Sequence, residues 1–325
     1  MADVFAYLKG FGASSGSPNK STIIVTAPTG STVTCKMGST TKTATEKNGA
    51  WTFGGLDLGT WTITSAKGGD SATQDVVITR LTVEYVTIVY RITPEFTYTG
   101  DYEIVDDSDN PISDFANWKN NWKIRFLTSG TFTVTKLNGW NGQLDVFLVG
   151  GGGNGETVRG ARGGGGGYTK TVKGVSIAIA TPYTVTIGAS SGTSSAFGAS
   201  ANGASGVNGG SGGGGGGSSS GTPGNGGSNG GNGTAGNVSG GGTGQGTTTR
   251  EFGESTGKLY SGGGGGSAAN AGAAGDSTAG AGAAYGGAAK NGVANTGGGG
   301  GAAYSGTAGA GGSGIVIIRN VRGAA

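Results

Sequence analysis

The chain has 325 residues, of which 78 are glycine, one is cysteine and none is histidine; 12% are charged and the net charge is +3. Serine or cysteine nucleophiles paired with a histidine base are therefore impossible, and so are histidine-ligated metal centres. The lone Cys35 cannot close an intrachain disulfide, no basic block marks a nucleic-acid surface, and no run approaches the roughly 18 apolar residues of a membrane span. No cofactor, no catalytic residue and no metal site is expected.

Residues 1–20 open the chain as a separate arm. Met1 to Tyr7 lacks both a basic flank and a long apolar stretch, so it does not read as a signal peptide. Phe5, Tyr7, Leu8 and Phe11 sit among glycines and serines. Two readings stay open for them: packing on their own domain, or docking onto a larger assembly.

Residues 21–92 read as short alternating strands with turn punctuation. Ser21 to Ala27 carries Ile23 and Val25, and a Thr-rich strand precedes Asn48-Gly49, a strong hairpin signal. Trp51 with Phe53, and Trp61 with Ile63, alternate on either side of Gly54, Gly55 and Gly59. Val76 to Ile78 then leads into Leu81 to Tyr90, with Leu81, Val83, Tyr85 and Val89 on one face. Seven or so strands in about 70 residues predict a small β-sandwich with the tryptophans in its core.

Residues 93–325 form a second, glycine-rich domain. Strands are predicted at 96–99, 122–127, 131–135, 143–149, 168–173, 175–180 and 183–187, with Trp122, Ile124 and Phe126 facing one way, and Leu144, Val146 and Leu148 likewise. A long glycine tract follows, and the chain closes on the β-branched run Ile315-Val316-Ile317-Ile318. This predicts a double-sheet, jelly-roll-like β-core over 93–187 and 314–320, carrying residues 188–313 as an insertion between two strands.

The tract poses a thermodynamic problem. Of the 78 glycines, 62 lie in residues 151–325. Ordering each residue costs about 1–2 kcal/mol, and apolar burial is not there to offset it. Six prolines and broken glycine register exclude collagen. Glycines nevertheless recur every third residue at 203, 206, 209 and 212, from 221 to 236, and at 306, 309 and 312. Polyproline II has three residues per turn and no internal hydrogen bonds, so such rows give each helix a bare face for close packing. A flexible linker would not return the chain to a core strand. The prediction is a block of packed polyproline II helices, anchored at Val149 and Ile315.

Other motifs carry little. GxGxxG matches are frequent, but none opens a helix after a strand or has a downstream acidic partner. Gly257-Lys258-Leu259 lacks the Ser or Thr of a phosphate loop. The carboxylate pairs Asp106/Asp107 and Glu251/Glu254 read as turn and loop solvation, and no enzyme is predicted.

Asn48 through Ile63 resembles the prealbumin-like and Ig-like repeats of bacterial surface proteins and phage tail proteins. Phe96-Thr97-Tyr98-Thr99-Gly100, Phe126-Leu127-Thr128-Ser129-Gly130, Asp145 to Gly152 and Gly312 to Arg319 together resemble the glycine-rich domain of phage and prophage tail proteins of Gram-positive bacteria. That resemblance covers about residues 95–322. It implies a virion protein made in the host cytoplasm and carried on the particle exterior, a homo-oligomer for which a trimer is expected. The leading function is a tail fibre-tip or receptor-binding adhesin contacting a bacterial cell-surface glycan or protein; the alternative is a capsid decoration or head-fibre protein with no receptor role. Receptor-binding candidates are the larger side chains of the tract, Arg250, Glu251, Phe252, Lys258, Leu259, Tyr260, Tyr285, Lys290 and Tyr304. Phe5, Tyr7, Leu8 and Phe11 are the candidates for docking onto other virion proteins. A host surface adhesin, an enzyme, nucleic-acid binding and membrane insertion are all disfavoured.

Overall fold

A computed structural model of the chain describes residues 20–27, 30–67, 70–88, 93–118, 120–138, 140–216, 221–227, 231–237, 242–244 and 250–321. The chain is all-β and divides into two units, Met1–Thr93 and Pro94–Ala325. The docking candidates Phe5, Tyr7, Leu8 and Phe11 lie outside the described residues.

Among its described residues the first unit has seven strands: β1 (Ser21–Thr26), β2 (Thr32–Met37), β3 (Thr40–Thr43), β4 (Ala50–Leu56), β5 (Gly59–Lys67), β6 (Asp70–Ile78) and β7 (Val83–Thr87). They form a three-stranded sheet, β4-β1-β7, and a four-stranded sheet, β3-β2-β5-β6. Period-two alternation places Ile23, Val25, Trp51, Phe53, Trp61 and Ile63 in one buried cluster, so both tryptophans are core residues. Asn48 and Gly49 take φ of 52° and 75°, and Lys47 and Ala50 exchange both backbone hydrogen bonds across them, the geometry of a primed turn. The flanking strands β3 and β4 belong to different sheets, so this turn carries the chain from one sheet to the other instead of joining paired strands. On β7 the face shared by Leu81, Val83 and Tyr85 is the exposed one, and Val86 on the other face is buried; Val89 lies outside the described residues. Apolar type alone did not reveal which side of an edge strand faces the core.

The second unit has a sandwich at its base. Its strands are β8 (Glu95–Tyr98), β9 (Tyr102–Val105), β10 (Lys123–Phe126), β11 (Gly130–Lys136), β12 (Gln143–Val149), β13 (Thr169–Ser176), β14 (Pro182–Val185), β15 (Ser194–Ala196), β16 (Ala199–Ala201) and β17 (Ile315–Asn320). Five form the sheet β13-β12-β17-β10-β9 and three form β14-β11-β8, with β15 and β16 as a hairpin. Trp122, Ile124, Phe126, Leu144, Val146, Leu148, Val316 and Ile318 meet Phe132, Val134 and Val185 in one core. The two strands expected at 168–173 and 175–180 are one, β13, in which Gly174 takes a φ of 68°.

The last strand, β17, lies between β10 and β12, with Val149 opposite Ile315. Residues 150–314 thus leave β12 and re-enter β17 at the same rung, and of them β13 alone rejoins this sheet, on the other side of β12. The hairpin and β14 lie inside that excursion: Ala196 and Ala201 are buried in the sandwich core.

The glycine tract is ordered by its backbone. Among residues 163–168, Gly163 and Gly166 donate to Gly214 and Ser211, Gly164 and Gly167 donate to Gly300 and Gly297, and Gly165 and Tyr168 donate to Gly206 and Asn202, all at 2.8–3.0 Å. Donors three apart therefore share a neighbour, and successive donors turn to different ones. A strand would alternate between two sides. The three-fold cycle is that of polyproline II helices laid side by side. Residues 150–156 repeat it: Gly150, Gly153 and Glu156 bond to Tyr168, Gly165 and Arg162, while Gly152 and Gly155 bond to Gly312 and Gly309.

Side chains are excluded by the same contacts. A Cβ on Gly163, Gly164, Gly166, Gly264 or Gly299 would fall well inside 3.0 Å of a neighbouring carbonyl. The block is larger than the expected 188–313, since residues 150–167 run through its middle. The runs Gly150 to Gly153 and Gly163 to Gly167 have no side chain to place in the β-core, and their amides find partners only in the block.

Candidate functional site

The block has a near end, joined to β12 and β17, and a far end. The far end is defined by reversals at residues 157–161, 268–271, 284–287 and 304–306. Bridges pair Thr157 with Ala303 and Ala268 with Ala284. Backbone bonds join Ala303 to Glu156, Ala283 to Ala302 and Ser267 to Ala161, so these reversals share one surface. The nine candidate side chains divide between the two ends.

At the near end, residues 250–260 lie on the outer face of the five-stranded sheet. That face presents the residues between the core-facing ones: Lys123 and Arg125 from β10, Asp145, Phe147 and Val149 from β12, and Ile315, Ile317 and Arg319 from β17. Phe252 and Tyr260 cover its apolar part, with ring centroids 5.7 and 5.5 Å from that of Phe147. Glu251 enters beside them. Its Oε1 accepts from Lys123 Nζ at 3.0 Å and its Oε2 accepts from the Tyr260 hydroxyl at 3.1 Å. Lys123 also reaches Asp109 Oδ1 at 2.5 Å, which Arg125 Nη2 contacts at the same distance.

Arg319 completes the cluster. Its Nε donates to Asp145 Oδ2 at 3.1 Å, its Nη2 meets Glu254 Oε1 at 2.6 Å, and its guanidinium carbon sits 4.0 Å from the Phe252 ring centroid. A cleft of about 600 Å³ opens here, with Asp107, Asp109, Lys123, Glu254, Lys258 and Arg319 in its walls. Burial raises the Tyr260 phenol, and the charge of Glu251 raises it further, so it stays protonated and donates. For Asp109, burial acts to raise the carboxyl, but hydrogen bonds from Arg125 and Lys123 outweigh it and hold the group below the usual carboxylate range. Lys123, Arg125 and Arg319 are paired with Asp109, Asp145, Glu251 and Glu254. Their arrangement is a clamp that holds residues 250–260 to the sheet.

This corrects the expectation for three candidates. Glu251, Phe252 and Tyr260 are exposed by only 4%, 4% and 1%. They offer no surface to a receptor, because the outer sheet face would otherwise leave apolar and ionic groups uncovered. The solvated-loop reading fails for Glu251 for the same reason, whereas Asp106 does cap a turn, accepting from the amides of Ser108 and Asn110. Arg250 is half-buried and donates to the Gly257 carbonyl; Leu259 is half-buried on the opposite side of the same loop, bridged to Arg250. Lys258 is exposed at the cleft rim, 5.7 Å from the Tyr260 ring centroid.

At the far end two of the other candidates, Tyr285 and Tyr304, meet. Tyr285 is 51% exposed, Tyr304 is half-buried, and their ring centroids are 4.3 Å apart. Nineteen positions separate them in sequence, and the backbone bond from Ala283 to Ala302 brings their segments together. Lys290 is exposed on the segment that returns from the Tyr285 reversal, its own carbonyl bonded to Gly301. Two residues outside the nine belong to this surface: Val158, 55% exposed, and Arg159, in the reversal that the Arg162–Glu156 ion pair closes. The signal that marks them is their position between two glycine runs.

The family now follows from the chain's own pattern. A family model described as a glycine-rich domain matches residues 127–320, and the chain belongs to that family. The match starts at the end of β10 and ends with β17, so it spans the excursion and most of the sandwich. No curated protein matches the chain. Among solved structures, the chain aligns with a DUF3823 family protein from Bacteroides ovatus ATCC 8483 at 12% identity, covering 51% of this chain and 79% of that one with a TM-score of 0.20. An alignment that loose transfers neither topology nor activity.

Proposed function

We propose that the chain is a non-enzymatic protein of a phage particle exterior, a tail fibre-tip or receptor-binding adhesin that touches the bacterial surface with the far end of its glycine block. The observation that carries this reading is the pairing of a backbone-locked lattice with exposed aromatic side chains at its free end. A block whose amides bond to three neighbours holds its reversals in place, and loops fixed on a rigid scaffold recognise partners at low entropic cost. The near end is occupied by the clamp and the sandwich, which leaves the far end for contact.

In the same reading the protein is a homo-oligomer, with a trimer expected, and residues 1–20 attach it to other virion proteins. The test is competition: purified protein should block adsorption of the particle to susceptible cells, and a Tyr285→Ala/Tyr304→Ala variant should block it at least tenfold less well. Failure of the wild-type protein to bind cells or compete would overturn the adhesin reading and favour a capsid decoration or head-fibre role. Deleting residues 1–20 should abolish incorporation; unchanged incorporation would remove the docking role.

A further inference from the structure

We infer that the far end takes an acidic saccharide chain, a hydroxyl-rich polymer bearing carboxylate or phosphate groups, with Tyr285 and Tyr304 as the stacking platform. This rests on the adhesin reading above and names its ligand class.

Three observations carry it. First, the two rings sit together at 4.3 Å, tilted by 48°, with half of Tyr285 in solvent. Paired tyrosines offer an apolar face to sugar C–H groups and hydroxyls at the rim for hydrogen bonds. Second, a shallow groove of about 410 Å³ lies between residues 154–157 and 306–310, beginning two residues beyond Tyr304. Its side-chain polar groups come from Asn154, Thr157 and Thr307, and no ionisable residue lines it. Asn154 is already held, its side-chain oxygen accepting from Gly311 N and Ser190 Oγ. A shallow groove lined by hydroxyl, amide and backbone groups, with no large apolar side chain in it, matches a saccharide better than a peptide with bulky apolar side chains.

Third, the charge at this end that is not held in an ion pair has one sign. No aspartate or glutamate occurs from residue 157 to 249 or from 277 to 325. Glu156 is held by Arg162, whose Nη2 lies 2.6 Å from its Oε1. Arg159, in the 157–161 reversal, and Lys290, on the segment leaving the Tyr285 reversal, are both exposed, so the exposed charge that these segments carry is cationic. Complementarity of that kind selects anionic polymers and speeds their capture.

The experiment titrates the full chain against immobilised bacterial surface polysaccharides, neutral and acidic, at two salt concentrations. Acidic members should bind at least tenfold better than neutral ones and weaken as salt rises. Tyr285→Ala and Tyr304→Ala should each lower affinity about tenfold, and Arg159→Ala with Lys290→Ala should flatten the salt dependence. Slow amide exchange at Gly163 to Gly167 in each variant shows that the lattice is intact. Equal binding of neutral and acidic polymers, or binding untouched by these substitutions, overturns the inference. Protein that competes for adsorption yet binds no polysaccharide also overturns it, while leaving the adhesin reading in place. Protein that does neither removes both.

Discussion

The guanidinium carbon of Arg319 stands 4.0 Å from the centre of the Phe252 ring while its Nε bonds to Asp145. One residue thereby ties the last strand to its neighbour β12 and to the loop that carries Phe252 and Glu254. Phe252 itself has a φ of 53°, a conformation disfavoured for any residue with a Cβ. It is held there by the ring packing on Phe147 and by the cation above it.

Removing either partner should therefore be costly. Arg319→Met leaves Asp145 buried without its cation and is expected to lower the stability of the second unit by about 3–5 kcal/mol. Phe252→Ala should cost about 3–5 kcal/mol through lost packing. Urea unfolding followed by the fluorescence of the buried Trp122 and Trp140 measures both. A loss below about 1 kcal/mol would show that the loop is not clamped.

The lattice should reject side chains at its centre and tolerate them elsewhere. Gly164→Ala places a methyl against the Gly153 carbonyl, with Gly164 N bonded to Gly300 and its own carbonyl taking the Gly264 amide. A cost of about 1–3 kcal/mol or more is expected. Gly54→Ala in β4, where the new Cβ would meet only the Thr22 hydroxyl at 4.0 Å, should be close to neutral. Equal effects at the two sites would contradict close packing.

Amide exchange reads the hydrogen bonds directly. The amides of Gly163 to Tyr168 and of Gly299 to Ala303 should exchange with protection close to that of β12 and β17. Loop amides at Arg159 and Tyr285 should exchange fast. Rapid exchange throughout residues 150–168 would mean that the block is not ordered by its backbone.

Acid should weaken the second unit. The Asp109 and Glu156 carboxyls are held below their ordinary values of 3.8 and 4.5; burial opposes this in both, and hydrogen bonds from Arg125 and Lys123 in one case and Arg162 in the other outweigh it. A carboxyl depressed in the folded state adds stability that is fully present above the unfolded pKa and is lost as pH falls through the folded value. The urea midpoint should thus be flat down to about pH 5 and drop below it. Asp109→Asn should flatten that drop, and an unchanged slope would remove Asp109 from the account.

Alkali should act through tyrosine. Burial, then the charge of Asp101, pushes Tyr98 up to about 12 from 10.0. A raised folded-state value adds stability that is present below the unfolded pKa and is lost as pH climbs towards the folded one, here between 10 and about 12. Ultraviolet titration should show at least one phenol ionising late, accompanied by falling stability; a single normal transition for all tyrosines would exclude it.

Much of this was legible in the residues. Alternation in Trp51/Phe53 and Leu144/Val146/Leu148 marked the core faces, because a strand's side chains point to two sides in turn. The Ile315 to Ile318 run showed that the tract returns to a sheet, since four consecutive β-branched residues suit a strand covered on both faces. The glycine period of three announced the block's internal symmetry. Less legible were the strands with weak patterns: β9, the β15–β16 hairpin, and the inward face of β7, where Tyr85 and Val86 look equally apolar.

What the sequence determined by itself is the material: an all-β chain without histidine, and a tract in which only backbone groups could do the ordering. The tertiary structure decided which neighbours those backbones meet, that residues 150–168 belong to the block, and where each large side chain of the tract faces. Glu251, Phe252 and Tyr260 are large side chains of the same tract as Tyr285, Lys290 and Tyr304, yet the first set is buried in a clamp while Tyr285 and Lys290 are exposed and Tyr304 is half-buried. The reason is physical: glycine-rich segments specify their spacing through hydrogen bonds between residues far apart in sequence, and those pairings form only when the chain is folded.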